Sequence, residues 1–176
     1  AIKDFDFKAG DKAIVFVLTG DYSRAIREDM VRIAFEDHGM EVVVIDAVTL
    51  GVADPNTLIP TISAALAANP DTKIIVHPGG QQLGNAEAYA KAAGYGPNEI
   101  YQIGFDTSAQ VMSGFVNGYV HLTADQQPFQ EGYLPVLSLC QGLVLGLAPI
   151  SQDTGVGYVD VSNYSATIDL ANAGLR

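Results

Sequence analysis

Ala13-Ile14-Val15-Phe16-Val17-Leu18 is an unbroken apolar run that stops at Thr19-Gly20, and a helical pattern follows over about residues 23–38. A run so short and so continuously apolar suits a strand buried on both faces, because a half-exposed strand would alternate with polar residues. Gly39 then closes the helical pattern as a C-terminal cap. The same pairing recurs along the chain. Val42-Val43-Val44-Ile45 precedes a helix that opens at Asp54-Pro55 and runs to about Ala68. Ile74-Ile75-Val76 leads through His77-Pro78-Gly79-Gly80 into a helix over about residues 83–93. A fourth strand is expected at residues 100–105, a helix opening at Asp106-Thr107-Ser108, and a fifth strand at residues 119–124. Strands alternating with helices predict an α/β fold, a doubly wound parallel sheet with helices on both faces and right-handed crossovers.

Composition narrows the function classes. Of 176 residues 48% are hydrophobic and 16% charged, which is enough apolar surface to build a core and excludes intrinsic disorder. The net charge is -11, and after Lys91 no basic residue occurs until Arg176. A surface that tracks phosphates needs clustered positive charge, so the balance argues against nucleic-acid binding. Cys140 is the single cysteine, so no intrachain disulfide forms; Leu139-Cys140-Gln141-Gly142 reads as a buried helix position. The chain starts at Ala1 without Met or signal sequence, and its organisation leads us to expect a fragment.

Residues 132–152 carry no charge at all. A membrane span is one reading of such a stretch. Pro135, Ser138, Gln141 and three glycines count against it, as do the acidic flanks Glu131 and Asp153 without a Lys or Arg anchor. The other reading is a buried helix, with Leu134, Leu137, Val144 and Leu147 on one side and Val136, Leu139 and Leu143 on the other. A helix apolar all round needs partners on both sides, and this layer already has its helices.

In open α/β sheets ligands bind beyond the carboxyl ends of the strands. Asp21 and Tyr22, Asp46, His77-Pro78-Gly79-Gly80, Asp106-Thr107-Ser108 and Asp125-Gln126-Gln127-Pro128 therefore become candidates. Arg24, Glu28, Arg32 and Glu36 alternate in sign at four-residue spacing, which reads as a solvent-facing ion-pair stripe. Arg27 lies off that stripe. It either offers its fork of donors to a ligand or makes a surface salt bridge. Asp106 either caps the next helix or, with Ser108 as the cap, faces a ligand. The His77 turn lacks the pattern of a phosphate loop, and His77 reads as a polar rim residue. His38, His77 and His121 show no metal-ligand spacing, and no nucleophile elbow is present, so neither metal, cofactor nor catalytic residue is implied.

Three landmarks in order carry a resemblance: Val15 to Gly20 followed by Arg27; Ile103-Gly104-Phe105-Asp106; and Ala124-Asp125-Gln126-Gln127-Pro128. With Thr154-Gly155-Val156-Gly157-Tyr158-Val159-Asp160 as a final strand approach, residues 11–176 resemble the second half of the periplasmic sugar-binding proteins of ABC transporters, of the ribose-binding type. The resemblance implies a non-enzymatic two-lobed protein that closes about a hinge on a monosaccharide or polyol. Residues 1–126 would be the C-terminal lobe, residues 127–154 a helical passage to an N-terminal lobe absent here, and residues 155–176 the return. It implies ligand contacts at Arg27, Asp106 and Gln126, with Asp21, Tyr22, His77, Pro78 and Gly79 around them and Tyr22 as the nearest aromatic wall. An asparagine of the family falls at about Pro78, a departure that bears on which sugar is held. The implied partners are a sugar and a membrane permease; the implied place is the periplasm or extracytoplasmic space, free or lipid-anchored. The alternatives are the effector domain of a sugar-responsive regulator and a small α/β enzyme.

Overall fold

The computed structural model describes residues 1–17, 22–46, 55–155 and 157–176. Asp21 and Asp54 fall outside them, as do the side chains of Tyr22 and Arg24. A six-stranded sheet forms the centre. In chain order the elements are β1 (Lys12–Val17), α1 (Tyr22–Asp37), β2 (Glu41–Asp46), a 3-10 turn (Pro55–Leu58), α2 (Ile59–Ala68), β3 (Thr72–Val76), α3 (Gly80–Leu83), α4 (Ala86–Ala92) and β4 (Tyr101–Phe105). They continue with α5 (Ala109–Val116), β5 (Leu122–Asp125), α6 (Pro128–Leu145), β6 (Gly157–Asp160), a 3-10 turn (Tyr164–Ala166) and α7 (Ile168–Asn172). The strand order is β2-β1-β3-β4-β5-β6. The first five are parallel, as the alternation predicts, and β6 adds an antiparallel edge against β5.

Side chains alternate across β1, and the core divides accordingly. Ile14 and Phe16 join Ile75 with Leu58, Ile62 and Leu66 of the α2 region and Tyr89 of α4 on one face. Ala13, Val15 and Val17 join Val76, Ile103 and Phe35 of α1 on the other. The first face continues over the far end of the sheet as Leu83, Val111, Met112, Phe115, Val120, Val159 and Ala171. Gly39 ends α1 at φ 87°, the left-handed conformation its capping role requires.

Four expectations need correction. Glu28 is fully buried rather than part of a solvent stripe; of that stripe the Arg32–Glu36 pair forms, at 2.5 Å, and Arg32 also pairs with Asp29 at 2.7 Å. The helix expected over 83–93 is split at Gly84-Asn85 into α3 and α4. Cys140 is exposed, because α6 buries none of its residues against the rest of the described chain. His77, expected on a rim, is enclosed. Its ring lies parallel to Phe16 at 6.0 Å and against Tyr89 at 5.6 Å.

No helix among the described residues is long and apolar enough to cross a membrane. Helix α6 ends at Gly146, φ 67°, and the chain folds back so that the Ile150 N–H donates to Ser138 Oγ at 3.2 Å. Phe129, Tyr133, Val136, Leu139, Leu143, Val144 and Leu145 of α6 all stand exposed.

Candidate functional site at the carboxyl ends of the strands

The parallel ladder places the ends of β3, β4 and β5 side by side. It extends one residue past β3 and β4: the His77 N–H donates to Ile103 O at 2.8 Å, and the Asp106 N–H to Ala124 O at 2.8 Å. Asp106 then leaves the ladder at φ 70°, a left-handed conformation that Asp tolerates better than most residues. Thr123 Oγ1 donates to the Asp106 carbonyl at 2.6 Å and holds the bend. Ser108 caps α5, accepting the Val111 N–H at 3.2 Å. The Asp106 carboxylate is therefore not spent on the cap.

It faces neighbours from two other strand ends. Oδ2 accepts the Gly80 N–H at 3.1 Å, and Oδ1 accepts a hydrogen from Gln126 Nε2. The approach of the loops is close: a Cβ at Gly80 would stand 2.9 Å from Asp106 Cβ. Arg27 comes in from α1. Its guanidinium carbon lies 4.6 Å over the centre of the Phe105 ring, and Nη2 donates to Pro78 O at 3.4 Å. A guanidinium over a ring face gains a cation–π attraction and keeps its donors at the edge. Its Nε has no hydrogen-bond partner among the described residues, and Arg27 is 27% exposed. Nη2 also lies 3.7 Å from the buried Glu28.

Arg27, Asp106 and Gln126 thus gather at one end of the sheet, with Pro78 contributing its carbonyl and Gly79 half-buried beside the Asp106 carboxylate. His77 belongs under this site rather than in it. Gln102 donates both hydrogens of Nε2 to carbonyls, to Ala86 O at 2.9 Å and Tyr119 O at 3.2 Å, so its Oε1 accepts from His77 Nε2 at 3.0 Å. Burial pushes the His77 imidazole down to about 4, only partly offset by the bond to Gln102, so the ring is neutral at physiological pH. One member of the cluster, Phe105, lies outside the loops the sequence points to; an aromatic residue at the end of a strand, directly before the aspartate, is the available signal for it.

The cluster combines a fork of donors, a carboxylate acceptor and an amide that both donates and accepts. That set matches neighbouring hydroxyls on a polyol, where each oxygen gives one hydrogen and takes another. No group of three or more His, Cys, Asp or Glu among the described residues could hold a metal ion.

No protein-family model matches the sequence. The chain is 29% identical over 165 residues to the xylose/arabinose-binding protein of Sulfolobus acidocaldarius, across 88% of this chain and 39% of that protein. It therefore spans about two fifths of the length of that curated relative. Among solved structures, a carbohydrate transporter from Acidothermus cellulolyticus in complex with myo-inositol superposes with a TM-score of 0.72 and 22% identity, over 99% of this chain and 58% of that one. An ABC transporter solute-binding protein from Burkholderia graminis in complex with D-arabinose gives 0.73 and 19%, over 94% and 57%. A periplasmic ribose ABC transporter protein from Conexibacter woesei gives 0.70 and 17%, over 93% and 53%. The fold is that of the sugar-binding proteins of ABC transporters, and this is the resemblance drawn from the landmarks around Arg27, Asp106 and Gln126.

Proposed function

We propose that these residues form one lobe of a solute-binding protein that holds a monosaccharide or related polyol and delivers it, unchanged, to the membrane permease of an ABC transporter outside the cytoplasm. The observation that carries the proposal is the convergence of Arg27, Asp106 and Gln126 from three separate elements onto one end of the sheet. Arg27 and Gln126 donate to hydroxyl oxygens, and Asp106 accepts the hydroxyl hydrogens. On ligand arrival Gln126 and the Gly80 N–H share the carboxylate with the sugar. The names and ligands of the relatives, which include pentoses, hexoses and a cyclitol, point to a monosaccharide or cyclitol as the class.

In this reading residues 1–126 and 155–176 make one lobe, and residues 127–154 reach toward a second. The bare α6 supports it, since a helix with no buried residue and seven exposed apolar side chains requires a partner surface. The outgoing and returning segments lie together, with Gln127 Nε2 donating to Thr154 O at 3.1 Å, and closure of the lobes would bend the chain here. Half a cleft supplies half the contacts, so tight binding is a property of the full-length protein.

A thermal-stability screen of the full-length protein against D-xylose, L-arabinose, D-arabinose, D-ribose, myo-inositol, nucleotides and metal ions tests the proposal. A ligand that binds only the folded state raises the melting temperature. Selective stabilisation by a sugar or cyclitol, recovered chemically intact, is the expected result. Stabilisation by nucleotides alone, or consumption of the sugar, would replace a carrier with an enzyme.

A further inference from the structure

We propose that Arg176 is a positioning residue of this site: by clamping the buried carboxylate of Asp125 it holds the turn that presents Gln126 to the ligand. The inference rests on Gln126 as a ligand contact, the reading given above. Asp125 ends β5, and its side chain is fully buried. Its two oxygens divide their partners. Oδ1 accepts the Gln127 N–H at 2.9 Å, and Oδ2 takes both Nε of Arg176 at 2.8 Å and Nη2 at 2.6 Å. A buried carboxylate is tolerated only when paired and hydrogen-bonded, and among the described residues Arg176 is its only ion-pair partner. The allocation of charge is selective. Residues 92–176 contain seven acidic side chains and one basic residue, and that one guanidinium sits on the carboxylate next to Gln126.

The turn is one that needs holding. Gln127 has φ 58°, a left-handed conformation that a non-glycine residue adopts at a cost and keeps only when its surroundings impose it. Three restraints impose it here: the Gln127 N–H on Asp125, Gln127 Nε2 on Thr154 O, and the pairing of Asp125 with Gly157 across β5 and β6. A Cβ at Gly157 would stand 3.2 Å from Asp125 O, so the returning strand fits closely against the outgoing one. Asp125 belongs to two of these restraints. If its carboxylate shifts, the next residue shifts with it, and the bond from Gln126 Nε2 to Asp106 lengthens or breaks. Among the described residues the Arg176 side chain bonds to Asp125 and to none of Arg27, Asp106 or Gln126, so its influence runs through Asp125.

The test uses Arg176→Gln and Arg176→Lys in the full-length protein, with two readouts. In hydrogen exchange followed by NMR, Arg176→Gln should lower the protection of the Gln127 amide by about tenfold relative to the core amides of Val15 and Ile75, and Arg176→Lys by less, because a lysine keeps the charge but not the fork. Unchanged relative protection at Gln127 would overturn the clamp. In calorimetric titration with D-xylose, Arg176→Gln should weaken binding about fivefold in the parent but by less than about twofold in a Gln126→Ala background, since a residue acting through Gln126 has nothing left to position. Equal losses in both backgrounds would overturn the link to the site. If the parent does not bind D-xylose, the titration uses the sugar or cyclitol that stabilises it in the thermal screen; if none does, that result counts against the carrier reading, and the exchange experiment alone decides the clamp.

Discussion

Acidification should cost this fold stability, and His77 carries a separable part of the loss. The ring is enclosed between Phe16 and Tyr89, and its ionisation is pushed from 6.5 down to about 4 by loss of water, against a raising effect of Gln102. As pH falls, the unfolded chain therefore takes up the proton first. The contribution of the neutral ring is complete above the unfolded value of 6.5 and is lost as pH falls toward 4. A depression of this size corresponds to about 3 kcal/mol in full, of which about 2 kcal/mol is lost between pH 7 and pH 4.5. The assay is urea unfolding of the parent and of His77→Gln at several pH values, with stability taken from the midpoint and slope. Glutamine retains a donor for Gln102 but does not titrate. His121 is also depressed by burial, and Asp71, Glu87 and Asp160 are lowered by their hydrogen-bond partners. These groups are common to both proteins, so they cancel in the difference. The parent should lose about 2 kcal/mol more than the variant over that interval. A difference that stays flat from pH 7 to pH 4.5 would show that the ring charges freely and is not enclosed.

Ser108→Ala removes the cap of α5 and should lower stability by about 1 kcal/mol, read from urea midpoints, while leaving sugar affinity nearly unchanged. Gly80→Ala forces a methyl group to within 2.9 Å of Asp106 Cβ, so the loops must separate. The expected outcome is a loss of stability of about 1–3 kcal/mol together with weakened sugar binding, whereas Gly10→Ala, with nothing within 4 Å but φ 90°, should affect stability alone. Cys140 is exposed on the bare face of α6. In the full-length protein a second lobe should cover that face, and a maleimide should label Cys140 slowly until denaturant is added; immediate labelling would place the second lobe elsewhere.

The parallel layer was legible because its strands are β-branched runs too short and too apolar to be anything but buried, as in Val42-Val43-Val44-Ile45 and Ile74-Ile75-Val76. The direction of β6 was not, since Gly157-Tyr158-Val159-Asp160 carries no local mark of which way it pairs. Polar residues were misplaced where their partners lie far along the chain. His77 reads as a rim residue until Gln102, 25 residues on, is seen to accept a hydrogen bond from its Nε2. Glu28 fits a four-residue ion-pair stripe, yet α1 turns it inward beside Arg27. Cys140 sits in an apolar context that suggests burial, but among the described residues nothing covers it. At the site itself, the spacing of Asp106 and Ser108 already allowed Ser108 to cap α5 and free Asp106. The stacking of Arg27 on Phe105 spans 78 positions and is a property of the tertiary fold alone.

Calorimetric titration of the full-length protein, and of its Asp106→Ala and Arg27→Ala variants, with the sugar or cyclitol that stabilises the parent tests most directly whether this end of the sheet holds the ligand. Loss of a charged hydrogen-bonding group costs about 2 kcal/mol or more, so each variant, where it folds, should bind at least about tenfold more weakly. Parent-like affinity in both variants would contradict the claim that this end of the sheet holds the ligand.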